Sequence, residues 1–266
     1  MPEQTTGQSE YTMGYSEEFL RLLHRRSLEN DASYLLPHLN PGLSALDFGC
    51  GPGTITVGLA RVVEPGEVHG IDIEESQIEM ARAAAADGGH ANATFHVADV
   101  TDLPFEDDSF DIAHCHAVLM HVPDTTAALT EIGRVLKPGG IIASRELIVA
   151  SSFVEPDLGD IAGAWNVFSR LIAGNGGHPQ MGRELKRVFV DAGFTGARAT
   201  ASFDIYVEPQ DIEFLCNVIT GWFFAPEIVQ AATTFGLATQ EQFDGWKRAL
   251  EGVREHPGTV GGLAFG

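Results

Sequence analysis

LDFGCGPGTIT, residues 46–56, runs from a short apolar stretch into Gly49, Gly51 and Gly53 and then into a helix-forming segment. Glycines let a chain turn tightly and approach a ligand with no Cβ in the way, and the helix that follows offers unpaired N–H groups at its start. The stretch reads as a nucleotide-type cradle at the tip of a strand. The nicotinamide dinucleotide fingerprint needs glycine where Thr54 stands, and the GxxxxGK[ST] phosphate loop is absent.

Outward from the cradle, two further segments end strands on an acid. In GIDIEES, Asp72 is placed to accept hydrogen bonds from both hydroxyls of a ribose, and in HVADV, Asp99 is placed to accept from an adenine amino group. From Leu43 to Pro138 short apolar runs alternate with helical stretches, which argues for a parallel sheet covered on both faces. KPGG, 137–140, reads as a turn, and IIASRELIVA after it as another strand. Apolar residues at helical spacing over 19–39 predict one or two helices behind a polar start. Beyond residue 150, helices are expected at 161–172, at 183–192 and across 209–254, with strand-like segments at 195–207 and 259–265 finishing the sheet.

Together these segments resemble the class I S-adenosylmethionine-dependent methyltransferases, above all the small-molecule group that includes the ubiquinone/menaquinone-biosynthesis methyltransferases. The resemblance rests on LDFGCGPGT, GIDIEESQIEMARA, ATFHVADVTDLPFEDDSFDIAHCHAVLMHVPD and LKPGGIIASREL, in the family's order and spacing, and covers roughly residues 30–150. It implies an α/β, Rossmann-like, doubly wound and mostly parallel seven-stranded sheet with helical cap insertions, and S-adenosyl-L-methionine as cofactor. It also implies that Gly49, Gly51 and Gly53 pack on the methionine part, Asp72 holds the ribose, Ile73 lies against adenine, and Asp99 with Val100 binds the adenine edge. Asp47, Arg26 and His116 are counted with the cofactor site. The expected division is 1–40 as an N-terminal helical lid, 41–150 as the cofactor-binding core, and 151–266 as the rest of the sheet with acceptor-binding cap helices.

Methyl transfer from a sulfonium is an in-line displacement, so positioning and a dry pocket dominate. Trp222, Phe223 and Phe224 suit such a pocket or ordinary core packing. A base is needed only when the acceptor must lose a proton. His116 and His121, after the fourth predicted strand, are the candidates, with Tyr15 (and Tyr11) as hydroxyls in the N-terminal segment. Arg25 and Arg26 carry guanidiniums that match a cofactor carboxylate. Arg145 and Glu146, at the end of the fifth strand, read either as ligand-facing groups or as a structural ion pair. Glu106, Asp107 and Asp108 read as a solvated acidic turn. His114, Cys115 and His116 do not form a metal site, because adjacent strand residues alternate faces.

The 266 residues, 44% of them hydrophobic, suffice for a sizeable core, and 37 acidic against 16 basic residues give a net charge of −21. That charge repels phosphate backbones and anionic lipid, and the [DNS]PP[YF] tetrapeptide of base-amino methyltransferases is absent. The expected partner is a small-molecule methyl acceptor, aromatic or apolar, with no nucleic acid and no membrane, for a cytoplasmic monomer or homodimer. The first basic residue is Arg21, so a basic signal-peptide start is missing. Three cysteines without a CxxC pair disfavour a disulfide framework and a zinc site. The chain ends in the strand-like GGLAFG, where further native residues are expected. Two other readings stay open: an NAD-dependent oxidoreductase on a related sheet, and a non-catalytic nucleoside-binding regulator.

Overall fold

The computed structural model describes residues 17–266, so Tyr11 and Tyr15 lie outside the described residues. Two short helices, α1 (Glu17–Arg25) and α2 (Leu28–Asp31), lead into strand β1 (Ala45–Phe48), helix α3 (Thr54–Val63), β2 (Val68–Asp72), α4 (Glu75–Gly88), β3 (Ala93–Val97), β4 (Phe110–His116), α5 (Thr125–Val135) and β5 (Leu136–Arg145). The five strands form one parallel sheet in the order β3-β2-β1-β4-β5. All four residues of β1 are buried, as a central strand covered on both faces requires. The chain travels outward from β1 through β2 to β3, then returns to the other side of β1 for β4 and β5. That reversal opens a crevice outside the carboxyl ends of β1 and β4, the place where open α/β sheets bind ligands.

KPGG does form a turn, although it falls within the bounds of β5. Pairing jumps from Phe110↔Leu136 to Ile112↔Ile141, so 137–140 leave the ladder, and Gly139 takes φ 83°.

After β5 come β6 (Phe153–Glu155), α6 (Ile161–Gly174), α7 (Met181–Asp191), β7 (Ser202–Tyr206), α8 (Pro209–Phe223), α9 (Pro226–Thr234), α10 (Gln240–Glu255) and β8 (Val260–Phe265). The expectation of one seven-stranded sheet needs correction. The strands β6-β8-β7 form a second, antiparallel sheet, joined to the end of β5 by reciprocal N–H bonds between Glu146 and Gly266 at 2.9 and 3.0 Å. A single helical turn at Val149–Ser151 divides the chain lying along one flank of β8 into two segments. The segment before the turn bonds to the end of β8, with Ile148 N–H donating to the Ala264 carbonyl at 2.8 Å and Leu147 bridging Phe265. The segment after it, β6, pairs with the start of β8.

Helix α8 carries the aromatic block. Trp222 meets Phe19 of α1 at 5.8 Å between ring centroids and stacks on Phe168 of α6 at 6.2 Å, while Phe223 packs edge-on against Trp165 at 4.6 Å. Among the described residues no single helix is long and apolar enough to cross a membrane; α8 and α9 reach that composition only together, across a 49° bend.

Candidate functional site

The glycine loop takes three left-handed turns in five residues, with φ 68° at Gly49, 54° at Gly51 and 79° at Gly53. Their surroundings differ. A Cβ at Gly49 would overlap the Val118 side chain, and one at Gly53 would stand 2.8 Å from Ala81 Cβ of α4, whereas one at Gly51 would meet nothing closer than 3.9 Å. Gly49 thus lets the loop after β4 come close, Gly53 lets α3 pack on α4, and Gly51 shapes the turn itself. The Gly51 N–H donates to Asp72 Oδ2 at 2.9 Å, and Glu74 N–H donates to Oδ1 at 3.1 Å. Burial pushes the Asp72 carboxyl above its ordinary value, with these N–H donors opposing it.

A cavity of about 600 Å³ opens over this loop. Asp47, Gly49, Gly51, Asp72, Ile73, Asp99, Val100, Arg26, His116 and His121 all line it; Gly53 does not, being turned to helix packing. Ile73 is 46% exposed, an apolar wall beside the Asp72 carboxylate. Asp99 accepts from the Thr101 N–H and hydroxyl, both at 2.8 Å and both on Oδ1. Asp47 is 2% exposed and spends both oxygens inside the protein, on the Thr56 hydroxyl at 2.6 Å and on His114 Nδ1 at 2.9 Å. Its visible work is to tie β1 to α3 and β4. A nucleoside with an amino-acid tail matches these groups: a flat base against Ile73, hydroxyl and amino donors facing carboxylate acceptors, and a tail over the left-handed loop.

A second cavity, about 420 Å³, lies alongside and shares Arg26, His116, Ala117 and His121 with the first. Ala117 sits at φ 55°, in the left-handed region, a strain of about 1–3 kcal/mol held by its N–H on the Arg145 carbonyl at 2.9 Å. The next three residues are pinned as well. The buried Glu146 carboxylate accepts the N–H groups of Val118, Leu119 and Met120 at 3.0, 2.9 and 3.1 Å.

His116 is 5% exposed, and burial followed by the charges of Arg26 and Arg145 pushes its pKa well down, so the imidazole is neutral. Its Nδ1 is buried without a hydrogen-bond partner, while the ring's other nitrogen bonds the Asp31 backbone. Burial and Arg26 lower His121 to about 4.

Arg145 and Glu146 do not pair with each other. Glu146 serves the loop, while Arg145 binds Asp204 at 2.6 Å and Asp31 at 3.4 Å. Arg25 pairs with Asp211 at 3.3 Å above the Phe214 ring, in the wall of the second cavity, while Arg26 lines both. Trp222 lines the second cavity, and Phe223 and Phe224 are buried in the core. The acidic turn is partly engaged, with Asp107 on Arg134 at 2.9 Å.

Residues absent from the sequence reading are Ala117, Val118 and Asn175 in the first cavity, and Asp31, Asp204, Tyr206 and Phe265 in the second. Asn175 had a signal in the glycine-rich AGNGGHP stretch. The others have none, since nothing local announces a strained alanine or the residues that a distant sheet brings in.

A family model described as a methyltransferase domain matches residues 39–193, more than half of the chain. The chain is 38% identical over 154 residues to the probable methyltransferase ltbC of Aspergillus luteorubrus, a match covering 54% of each protein, so it spans about half the length of that relative. It is 36% identical over 171 residues to a demethylmenaquinone methyltransferase of Staphylococcus aureus, covering 59% of this chain and 70% of that one. The YcgJ protein of Bacillus subtilis shares the fold, with a TM-score of 0.60 at 19% identity over 89% of this chain and 96% of that one. Taken with the glycine cradle and the strand-end acids around one crevice, these matches set aside the nicotinamide alternative: the chain belongs to the methyltransferase domain family, among the class I S-adenosylmethionine-dependent methyltransferases.

Proposed function

We propose that the protein transfers a methyl group from S-adenosylmethionine, held in the 600 Å³ cavity, to a small-molecule acceptor held in the 420 Å³ cavity. The observation that carries the reading is the wall common to both cavities, formed by Arg26, His116, Ala117 and His121. When bound, S-adenosylmethionine supplies a methyl group on a positively charged sulfur, open to in-line attack.

The chain's own groups divide the remaining tasks. Asp72 accepts from ribose hydroxyls, Ile73 flanks the base, and Asp99 with Val100 meets its edge. Gly49 and Gly51 leave room for the tail, whose carboxylate Arg26 pairs. His116, neutral and in the wall common to both cavities, orients an acceptor hydroxyl or amine and takes its proton where one must leave. His121 and Tyr15 are secondary candidates for that task. Residues 1–40 serve as the lid, 41–150 as the cofactor core and 151–266 as the acceptor-binding part. A small-molecule acceptor agrees with the net charge of −21, and the staphylococcal relative is itself named for one.

The test is a turnover screen with methyl-labelled S-adenosylmethionine against phenols, indoles, amines and thiols. Label transferred to an acceptor, with S-adenosylhomocysteine formed in step, is the expected result. Failure across all four classes would leave a nucleoside-binding protein without turnover.

A further inference from the structure

Three carboxylates lie in the wall of the 420 Å³ cavity, Asp31, Asp204 and Asp211, and each is held by a guanidinium. Asp211 has Arg25. Asp31 and Asp204 share Arg145, which sits behind the wall, 7% exposed, at the end of β5. Arg145 grips Asp204 with two nitrogens, Nη2 to Oδ1 at 2.6 Å and Nη1 to Oδ2 at 3.3 Å, and reaches Asp31 Oδ1 at 3.4 Å and Ser202 Oγ at 3.3 Å. Its guanidinium lies 3.8 Å from the centre of the Phe265 ring. One buried cation thus draws together α2, β7 and β8; with Arg26, which lines the same cavity and whose charge acts on Asp31, it offsets the two negative charges of Asp31 and Asp204. The rest of the wall includes Arg26, six rings, among them Phe19, Trp222 and Phe265, and as many aliphatic side chains.

We propose that the acceptor is an uncharged aromatic molecule and that Arg145 is the residue that determines this, by completing, with Arg25 and Arg26, the three positive charges that balance Asp31, Asp204 and Asp211. Rings attract a cation as readily as a flat neutral molecule, so the rings alone do not choose. The choice falls to the charges. A cationic ligand finds no carboxylate without an opposing guanidinium to offset its lost hydration, and a carboxylate ligand finds Arg25, Arg26 and Arg145 already balanced by aspartates. An uncharged flat molecule gives up no ionic hydration on entry and gains the apolar contact. The proposal rests on the methyl-transfer reading only in calling the ligand an acceptor; the charge preference belongs to the cavity itself.

Three probes of one shape and different charge test it: 1-naphthalenemethanol, 1-naphthylmethylammonium and 1-naphthoate, their dissociation constants measured by fluorescence with and without S-adenosylhomocysteine. The wild type is expected to bind the alcohol about tenfold or more tighter than either ion. Arg145→Gln takes the guanidinium from Asp204 and leaves the cavity one negative charge in excess, so the ammonium should gain about tenfold on the alcohol. Arg145→Lys, which keeps the charge, should retain the wild-type order. Asp204→Asn, at a side chain 35% exposed and so not dependent on refolding of the core, should shift preference the other way, toward naphthoate. A wild type that binds either ion as tightly as the alcohol, absence of binding by all three included, overturns the proposal, and so does an unchanged order in both Arg145→Gln and Asp204→Asn. The order read without S-adenosylhomocysteine stands whether or not the cofactor binds, so a protein that ignores S-adenosylhomocysteine counts against methyl transfer and not against this assignment.

Discussion

Gly49 and Gly51 are two residues apart and chemically identical, yet the structure asks different things of them. Both need a left-handed backbone, which costs an alanine about 1–2 kcal/mol. Only Gly49 also has Val118 where a Cβ would go. Gly51→Ala is therefore expected to destabilise by about 1–2 kcal/mol, and Gly49→Ala by a further 1–3 kcal/mol or so for the overlap. Urea denaturation of the two variants checks the order; equal midpoints would contradict it. At this scale the sequence was a good guide where the constraint is local. The glycine spacing and the acids ending β2 and β3 are all visible within a few residues of chain. Asp47 shows the limit, since its partners Thr56 and His114 are nine and sixty-seven residues away, and only folding joins them.

Among the elements, the loop between β4 and α5 decides the geometry of the shared wall, and one side chain from β5's end holds it. Glu146 accepts three consecutive backbone N–H groups, and a glutamine there would turn an amide NH2 toward donors. Glu146→Gln is expected to cost about 1.5–3 kcal/mol in stability, the range for hydrogen bonds to a charged group. Hydrogen exchange should show residues 118–120 losing protection ahead of the rest of the sheet, and a loop as protected as in the wild type would contradict the assignment. The strands β1 to β5 were legible because each is a short apolar run bounded by turn or helix signals. The seven-stranded sheet was not. Whether 146–155 runs as one strand or breaks into two depends on the turn at Val149–Ser151, whose apolar and small residues carry no break signal of their own. The Arg145–Glu146 pair failed for a related reason: neighbours on a strand face opposite ways, and each found partners on its own side.

For the molecule as a whole, four histidines set the response to acid. His69 and His96 lie stacked with ring centroids 5.4 Å apart, and burial lowers both; His116 and His121 are lowered by burial and by Arg26. A histidine with a lowered folded pKa takes up its proton in the unfolded chain first. Its contribution to stability is therefore whole above the ordinary value of 6.5 and is lost as pH falls toward the folded value, about 4 for His121. Asp31, Asp72 and Glu146, raised by burial, act in the opposite sense as they protonate, so single variants are needed to separate the two effects. His121→Gln should flatten the fall of melting temperature between pH 6.5 and 4 by about 5–10 °C, the equivalent of roughly 2.5 kcal/mol. A slope equal to that of the wild type would contradict the neutral state of this half-buried ring.

Two cavities sharing a wall are a property of the whole chain, since the first is built by β1, β2 and β4 with their loops and the second by α1, α8, β7 and β8 closing over them. The central claim is that the first holds S-adenosylmethionine by its ribose on Asp72. Calorimetric titration of S-adenosylmethionine into the wild type and into Asp72→Ala tests it most directly. The account predicts one saturable site in the wild type, weakened in the variant by about 1.5–3 kcal/mol, or roughly tenfold to more than a hundredfold in dissociation constant. No binding to the wild type, or an unchanged dissociation constant in the variant, would contradict it.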